Sequence, residues 1–153
     1  MSLFKLKHYL LIAAVVLADQ LTKNWAATTL KFLEETVIIP KLLSFQLVFN
    51  YGAAYGIFQH QRVFLLSITV FIIALGLLFA KHIVQSKWSL IGLALIMAGA
   101  LGNFIDRASL GYVIDFIYIH IIPNFNIADM SINAGVSCFI IEYFAHGNSD
   151  SRK

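Results

Sequence analysis

Charged residues are scarce in this chain, and their scarcity excludes most soluble folds. Only 12% of the 153 residues are Asp, Glu, Lys or Arg, whereas 59% are hydrophobic. Soluble domains have about 25% charged and about 45–50% apolar residues. The composition therefore predicts an integral membrane protein. The 11 basic residues are dispersed rather than clustered, so nothing indicates a nucleic-acid partner.

Cysteine and the common metal-binding motifs are also nearly absent. A single cysteine, Cys138, lies inside an apolar segment, which excludes a disulfide framework and a thiolate metal site. The chain has no HExxH motif, and its five histidines are scattered without the spacing of metal ligands. No serine or cysteine lies in a recognisable nucleophile motif. We therefore expect no metal, no cofactor and no covalent serine or cysteine chemistry.

Long hydrophobic runs are abundant, and four of them are candidate transmembrane helices. They cover residues 9–25, 63–80, 88–105 and 129–145. The first run follows a basic N-terminus, as in a signal peptide, but Asp19 and Lys23 occur where a cleavage site would be expected. In the third run Ala94, Ala98 and Gly102 recur every four residues, a spacing that lets helices pack closely in lipid.

Residues 26–62 differ from these runs because they contain several charged residues and a proline. Thr36–Ile39 and Ser44–Asn50 are rich in β-branched and aromatic residues and predict two strands of a small extramembrane sheet. Asn50–Gly56 follows, with small residues between tyrosines. This segment suits either a backbone that approaches a ligand closely or a simple turn back into the membrane.

The orientation in the membrane follows from the basic residues, although their count is nearly even. Four spans place both termini on one side, with six basic residues there and five on the other side. The basic N-terminus and the short basic loop at residues 81–87 favour the cytoplasm for that side. We therefore expect both termini inside and the predicted sheet outside.

Two aspartates close to the ends of spans are candidates for acid–base catalysis. Peptide hydrolysis by two carboxylates needs one protonated and one ionised partner, and repulsion between like charges produces that state near neutral pH. The loop between Asp115 and Asp129 contains Pro123 and can fold back to bring the two together. Helix caps or salt bridges are the alternative roles. Asp129 also begins a polar stripe with Asn133 and Ser137, which we expect to face inward.

Three further polar residues share one helix face, because Asn103, Asp106 and Arg107 lie at i, i+3 and i+4. We expect Asp106 to pair with a cation in a structural role and Asn103 to satisfy backbone groups. The guanidinium of Arg107 offers a fork of donors that can hold peptide carbonyls. Arg107 is therefore a candidate for substrate binding.

Five separated segments resemble the successive signature motifs of the bacterial lipoprotein signal peptidases, or type II signal peptidases. They are Asp19–Lys23, Asn50–Gly56, Gly99–Arg107, Val113–Phe116 and Asn126–Asp129. The resemblance implies an all-α membrane protein of four transmembrane helices, with a small extramembrane β-sheet (a β-cradle) on the periplasmic side. Residues 1–153 would form a single integral-membrane peptidase domain, with the sheet and a lid within residues 26–62.

The resemblance also implies an aspartyl endopeptidase of the bacterial inner membrane whose active site faces the periplasm. It would remove the signal peptide from diacylglyceryl-modified prolipoproteins, cleaving before the lipidated cysteine, with membrane lipid as its other partner. Asp115 and Asp129 would be the catalytic dyad. The residues implied around the substrate or the dyad are Asp19, Asn50, Asn103, Arg107 and Asn126. The sequence does not define the oligomeric state, for which a monomer is the expectation.

Two other functional classes compete with this interpretation. Intramembrane carboxylates are also typical of small ion- or proton-coupled transporters. Such transporters commonly contain inverted repeats, whereas the first and third spans here share no polar pattern. A non-catalytic membrane assembly factor would leave the clustered aspartates unexplained.

Overall fold

A computed structural model describes residues 4–53 and 56–150 of the chain, with side chains up to residue 145. The elements in chain order are α1 (Leu6–Thr29), β1 (Glu35–Ile39), β2 (Leu43–Asn50), α2 (Arg62–Leu78), α3 (Ala80–Ile83), α4 (Lys87–Ser109), β3 (Val113–Ile119), β4 (Ile122–Phe125) and α5 (Ile127–Asp150). The four apolar runs predicted from the sequence correspond to α1, α2, α4 and α5. The short α3 directly follows α2.

Helix α4 is central, because it packs against α1, α2 and α5. Its first turn is capped by Ser86, whose hydroxyl accepts hydrogen bonds from the next backbone N–H groups. Its end is followed by Gly111, whose φ of +90° is favourable for glycine. The predicted small-residue stripe is buried. At Gly102 a Cβ would lie 2.6 Å from a carboxylate oxygen of Asp19, so only glycine allows α1 to approach this closely.

Two helices of the described residues are long and apolar enough to cross a bilayer. These are Lys87–Ser109 and the part of α5 from Ile127 to Ala145. Helix α2 is strongly apolar but has only 17 residues. The helical part of the chain therefore has the composition of a membrane protein.

The four strands form one antiparallel sheet in the order β1-β2-β3-β4. Strands β1 and β2 confirm the two predicted strands. The sequence interpretation was wrong about residues 116–128, which it treated as a loop between the two aspartates. Residues 116–119 belong to β3, residues 122–125 form β4, and α5 already begins at Ile127. Residues 113–117 are all buried, so this strand lacks the apolar–polar alternation that identifies a half-exposed strand.

The sheet packs against the C-terminal end of α1 and thereby fixes the position of Asp115. Ala26 of α1 lies in one apolar cluster with Leu47, Ile114 and Phe116. Successive side chains of a strand point to opposite faces. Asp115, between the last two of these residues, therefore points to the other face of the sheet, where it meets Asn50 and Asn126.

Candidate active site

Asp129 lies in the first turn of α5, and the start of that helix fixes its carboxylate. The side-chain oxygen of Asn126 accepts the N–H of Asp129 at 3.0 Å, and Asp129 Oδ2 accepts the N–H of Asn126 at 3.2 Å. This reciprocal pair is a capping box. The next free N–H, that of Ala128, donates to Asp19 Oδ1 at 2.8 Å. Asp19 of α1 thus contributes to the same helix start.

Asp115 lies in β3, opposite Val48 of β2, and is only 2% exposed. Its two carboxylate oxygens accept hydrogen bonds from Asn126 Nδ2 at 2.7 Å and from Asn50 Nδ2 at 3.0 Å. Burial, followed by the nearby charge of Asp129, raises the pKa of Asp115 to about 7, against the opposing effects of the two amides and Lys23. One carboxyl group of the pair can therefore hold a proton near neutral pH.

Asn126 and Asn103 connect the two carboxylates to the helices. Asn126 is completely buried and binds both aspartates. Asn103 Nδ2 donates to Asp129 Oδ1 at 2.8 Å. Its oxygen accepts from Lys23 Nζ at 3.0 Å and from Asn126 Nδ2 at 3.2 Å. Because both of these neighbours are donors, the amide of Asn103 has one favourable orientation, with its NH₂ toward Asp129.

A second carboxylate pair lies next to the first, and its two members share one lysine. Lys23 Nζ lies 2.8 Å from Asp19 and 3.0 Å from Asp106. Asp106 Oδ2 also accepts the N–H of Ile114 at 3.1 Å, and its other oxygen accepts from Gln20. We call Asp19, Lys23 and Asp106 the tether cluster, because they join α1, α4 and β3. We expected Asp106 to pair with a cation, and that cation is Lys23.

Arg107 contacts the chain itself rather than a carboxylate. Its guanidinium donates to the carbonyl oxygen of Gly52 at 2.6 Å, while Asn50 Oδ1 accepts the N–H of Gly52. A Cβ at Gly52 would lie 2.6 Å from the carbonyl oxygen of Ile57, so the turn requires glycine. Arg107 therefore holds a carbonyl of its own chain and fixes the start of the segment expected to be a lid, while its contact with substrate stays a prediction. Ala54 and Tyr55 of that segment lie outside the described residues.

A cavity of about 950 Å³ opens in front of the two aspartates. Five of the residues singled out in the sequence line it: Asn50, Asn103, Arg107, Asp115 and Asp129. Asp19, Asp106 and Asn126 lie behind them and act through their contacts. Within residues 4–53 and 56–145, no group of three His, Cys, Asp or Glu side chains is placed to bind a metal.

Sequence reasoning overlooked two kinds of residue here. Lys23 was not assigned a role in the site, although its i, i+4 spacing from Asp19 predicts an ion pair on one helix face. Gln59 and Asn133 line the cavity without having been considered as site residues. Asn133 and Ser137 were expected to face inward, but both are exposed on α5. Nothing in the local sequence distinguishes a cavity-lining residue from any other exposed one.

The arrangement suits hydrolysis by general acid–base catalysis. One carboxyl group can remain protonated near pH 7 while its neighbour accepts a proton, and both reach a cavity large enough for an extended peptide. Among the described residues, neither Asp115 nor Asp129 forms a salt bridge. Two carboxylates that are held together without a neutralising cation are costly, and such a cost is common at functional sites.

Solved structures show the same overall fold. A bacterial membrane enzyme determined by the in meso method at 2.3 Å is 38% identical to this chain, with a TM-score of 0.87 over 96% of this chain and 93% of that one. A second bacterial membrane enzyme, determined at 1.9 Å, is 39% identical, with a TM-score of 0.80 over 90% and 92%. The chain therefore has the fold of a membrane enzyme.

Sequence comparisons identify the family. The family model described as signal peptidase (SPase) II matches residues 11–145. Lipoprotein signal peptidases of Streptococcus agalactiae and Clostridium tetani are 38% and 37% identical to this chain; the matches cover 83% and 94% of this chain and 84% and 96% of those proteins. That of Lactobacillus johnsonii is 40% identical over 89% of this chain and 91% of its own length. The chain belongs to the signal peptidase II family.

Proposed function

We propose that this protein is an aspartyl endopeptidase that removes the signal peptide from diacylglyceryl-modified prolipoproteins, cleaving before the lipidated cysteine. Its family and its lipoprotein signal peptidase relatives support a protease that processes prolipoproteins. They give no support to a transporter. The observation that supports the aspartyl mechanism is the pair Asp115 and Asp129, bridged by Asn126 and opening on the cavity.

In the proposed reaction, Asp129 takes a proton from water while the oxygen of that water forms a bond to the scissile carbonyl carbon. Protonated Asp115 polarises the carbonyl and then gives its proton to the leaving nitrogen as the carbon–nitrogen bond breaks. The products are a carboxylic acid and an amine, and the dyad ends with its single proton on Asp129. A proton shift through water restores the starting state. The raised pKa of Asp115 supports its role as the acid.

The other polar groups of the cavity would bind the substrate backbone. Asn50, Asn103 and Arg107 line the cavity beside the dyad and offer donors to peptide carbonyls. Asp19 and Asn126 would position the dyad from behind, and Asp106 would be structural. The segment from Gly52 to Gly56 would act as a lid, anchored at its start by Arg107.

We further propose a single integral-membrane domain of residues 1–153, a monomer with four spans in the bacterial inner membrane, both termini cytoplasmic and the active site facing the periplasm. Helix α1 would span because Asp19 and Lys23 neutralise each other while Leu10 and Leu17 are exposed to the surroundings. Single cysteines in a Cys138→Ser background test the orientation. A membrane-impermeant thiol reagent should label Glu34→Cys but not Gln85→Cys; the reverse pattern would contradict it.

The substrate class is tested by comparing two precursors. Two acyl chains on the cysteine would hold the scissile bond at the membrane surface, since each buried CH₂ contributes about 0.8 kcal/mol. Without that anchor the bond would be poorly fixed against the dyad, and a misplacement of about 1 Å can cost on the order of 10²-fold in rate. Purified protein should therefore cut the diacylglyceryl-modified precursor and leave the unmodified one intact at matched concentration. Equal cleavage of both would overturn the substrate assignment.

A further inference from the structure

Asn133 is a polar residue on α5 that has no role in the mechanism proposed above. It lies four residues after Asp129, lines the same cavity and is exposed. The stretch Ile127–Ala145 is only 22% buried, compared with 56% for the apolar stretch of α4. Much of this part of α5 therefore faces away from the protein interior. In a membrane, that side of the helix meets lipid or substrate.

The amide of Asn133 lacks a partner among the described residues, in contrast to its polar neighbours on the helix. Asp129 is bound by Asn126 and Asn103, Ser131 donates to the carbonyl of Leu95, and Ser137 donates to the carbonyl of Asn133. The side chain of Asn133 makes no hydrogen bond within this part of the chain. Under the proposed orientation Asn133 lies one turn further into the membrane than Asp129, where an unpaired amide costs free energy, so a partner there would be stabilising.

The substrate also needs hydrogen-bond partners in this region. A peptide must be extended where the dyad attacks it, and its backbone N–H and C=O groups then lose their helical partners. Within a membrane no water replaces them, so the protein has to supply hydrogen bonds. Under the proposed orientation α5 runs from Asp129 toward the cytoplasm. The signal peptide, which precedes the scissile bond, also extends from the dyad toward the cytoplasm. The residues just before the scissile bond therefore pass along this face of α5.

We propose that Asn133 is a substrate-binding residue that hydrogen-bonds the backbone of the signal peptide about two residues before the scissile bond. This inference rests on the proposed function. Four residues of an α-helix rise about 6 Å. An extended peptide covers that distance in about two residues, at about 3.3 Å each. The amide of Asn133 offers both a donor and an acceptor, so it can hydrogen-bond the backbone of the substrate whatever side chain the substrate carries there.

The test is a scan of backbone esters in a synthetic diacylglyceryl-modified precursor peptide. Each ester removes one N–H and weakens one carbonyl, at one, two, three or five residues before the scissile bond. The wild-type protein should lose roughly five- to thirtyfold in kcat/KM for the ester two residues before the bond, mainly through KM, and much less for the ester at five. The scan on the wild type needs no variant to fold.

Two variants complete the experiment. Asn133→Leu should lose a similar factor on the all-amide peptide and nothing more on the ester two residues before the bond. Ser137→Ala, one turn further along α5 and outside the cavity lining, should behave as the wild type. A flat ester profile in the wild type, or the same profile in the wild type and Asn133→Leu, would overturn the inference and leave the proposed function intact. No cleavage of the lipidated peptide by the wild type would overturn both.

Discussion

Two pairs of carboxylates lie side by side at the junction of the helices and the sheet, and they differ in how their charge is compensated. In the tether cluster Lys23 lies within 3.0 Å of both Asp19 and Asp106. In the dyad, Asp115 and Asp129 receive hydrogen bonds from asparagine amides and from backbone, without a salt bridge among the described residues. Asn103 contacts both Lys23 and Asp129 and so joins the two pairs.

The comparison separates structural carboxylates from reactive ones. Asp106 and Asp115 are equally buried, each 2% exposed, so burial alone does not decide the role. The decisive difference is the cation. Lys23 contacts both carboxylates of the tether cluster, and removing such a buried partner is strongly destabilising. Asp115 has no such partner, and its raised pKa suits a general acid. The cavity opens on the dyad and not on the tether cluster.

The largest expected effect comes from removing the cation of the tether cluster. Lys23→Met would leave Asp19 and Asp106 buried without their partner, which typically destabilises a protein by about 3–5 kcal/mol. We expect a clearly lower thermal unfolding midpoint in detergent. Lys31→Met is the matched control, because Lys31 pairs with Glu34 at an exposed site, where such pairs contribute little. Equal midpoints for the two variants would contradict the structural role of Lys23.

A smaller effect is expected from pH, and it has a definite sign. Folded Asp115 stays protonated up to pH of about 7, because burial and the charge of Asp129 raise its pKa. In the unfolded chain it ionises near pH 4. Between these values the folded state binds one more proton at this position, so its contribution to stability is lost as pH rises from about 4 to about 7.

Because other groups also titrate, the contribution of Asp115 to stability is measured as the difference in unfolding midpoint between the wild type and Asp115→Asn. The unfolding midpoint of the wild type minus that of Asp115→Asn should fall as pH rises through this window and then stay constant. In the wild type, kcat/KM on the lipidated precursor should also decline above pH of about 7, because the general acid loses its proton. A midpoint difference that is constant or rises with pH would contradict the assignment of the proton to Asp115.

The smallest expected effect concerns an arginine beside the dyad. Arg107→Lys replaces a planar fork of donors by a single ammonium group, which cannot reproduce the contact with the Gly52 carbonyl and the proposed contact with a substrate carbonyl together. We expect kcat/KM to fall by roughly tenfold, with folding preserved. Arg62→Lys is the control, because Arg62 also donates to a carbonyl, that of Ala108, but lies at an exposed position away from the cavity lining. Similar activity of both variants would show that Arg107 acts only as a positive charge.

Much of the junction between the helices and the sheet could be predicted, because several of its elements are defined by residues that are close together in the sequence. The four long helices follow from long, predominantly apolar runs, and β1 and β2 follow from β-branched and aromatic residues. Asn126 and Asp129 lie three residues apart, the spacing of a capping box, which is also visible in the sequence.

The remaining parts depend on contacts between distant segments. Residues 116–128 were mistaken for a loop, because the first five residues of β3 are all buried and the strand shows no apolar–polar alternation. The partner of Asp106 could not be chosen between several cations, since Lys23 is 83 positions away in sequence and meets it only when α1 packs on α4. The exposed position of Asn133 depends on which side of α5 the other helices cover. No local pattern contains that information.

The most direct test of the account makes the same chemical change at the two equally buried aspartates. Asp115→Asn and Asp106→Asn both remove one carboxylate and keep the size of the side chain; Asp129→Asn completes the set. Thermal unfolding in detergent and kcat/KM on the diacylglyceryl-modified precursor are measured for each. Asp115→Asn and Asp129→Asn should keep or raise the unfolding midpoint at neutral pH and lose at least about 10³-fold in activity.

Asp106→Asn should do the opposite, with a lowered midpoint, because Lys23 loses one of its two carboxylates, and with activity within about tenfold of the wild type. Lost activity with retained stability in the dyad variants, and the reverse in Asp106→Asn, would establish Asp115 and Asp129 as the catalytic pair and the tether cluster as structural. Appreciable turnover by either dyad variant, or loss of activity in Asp106→Asn with an unchanged midpoint, would contradict the account.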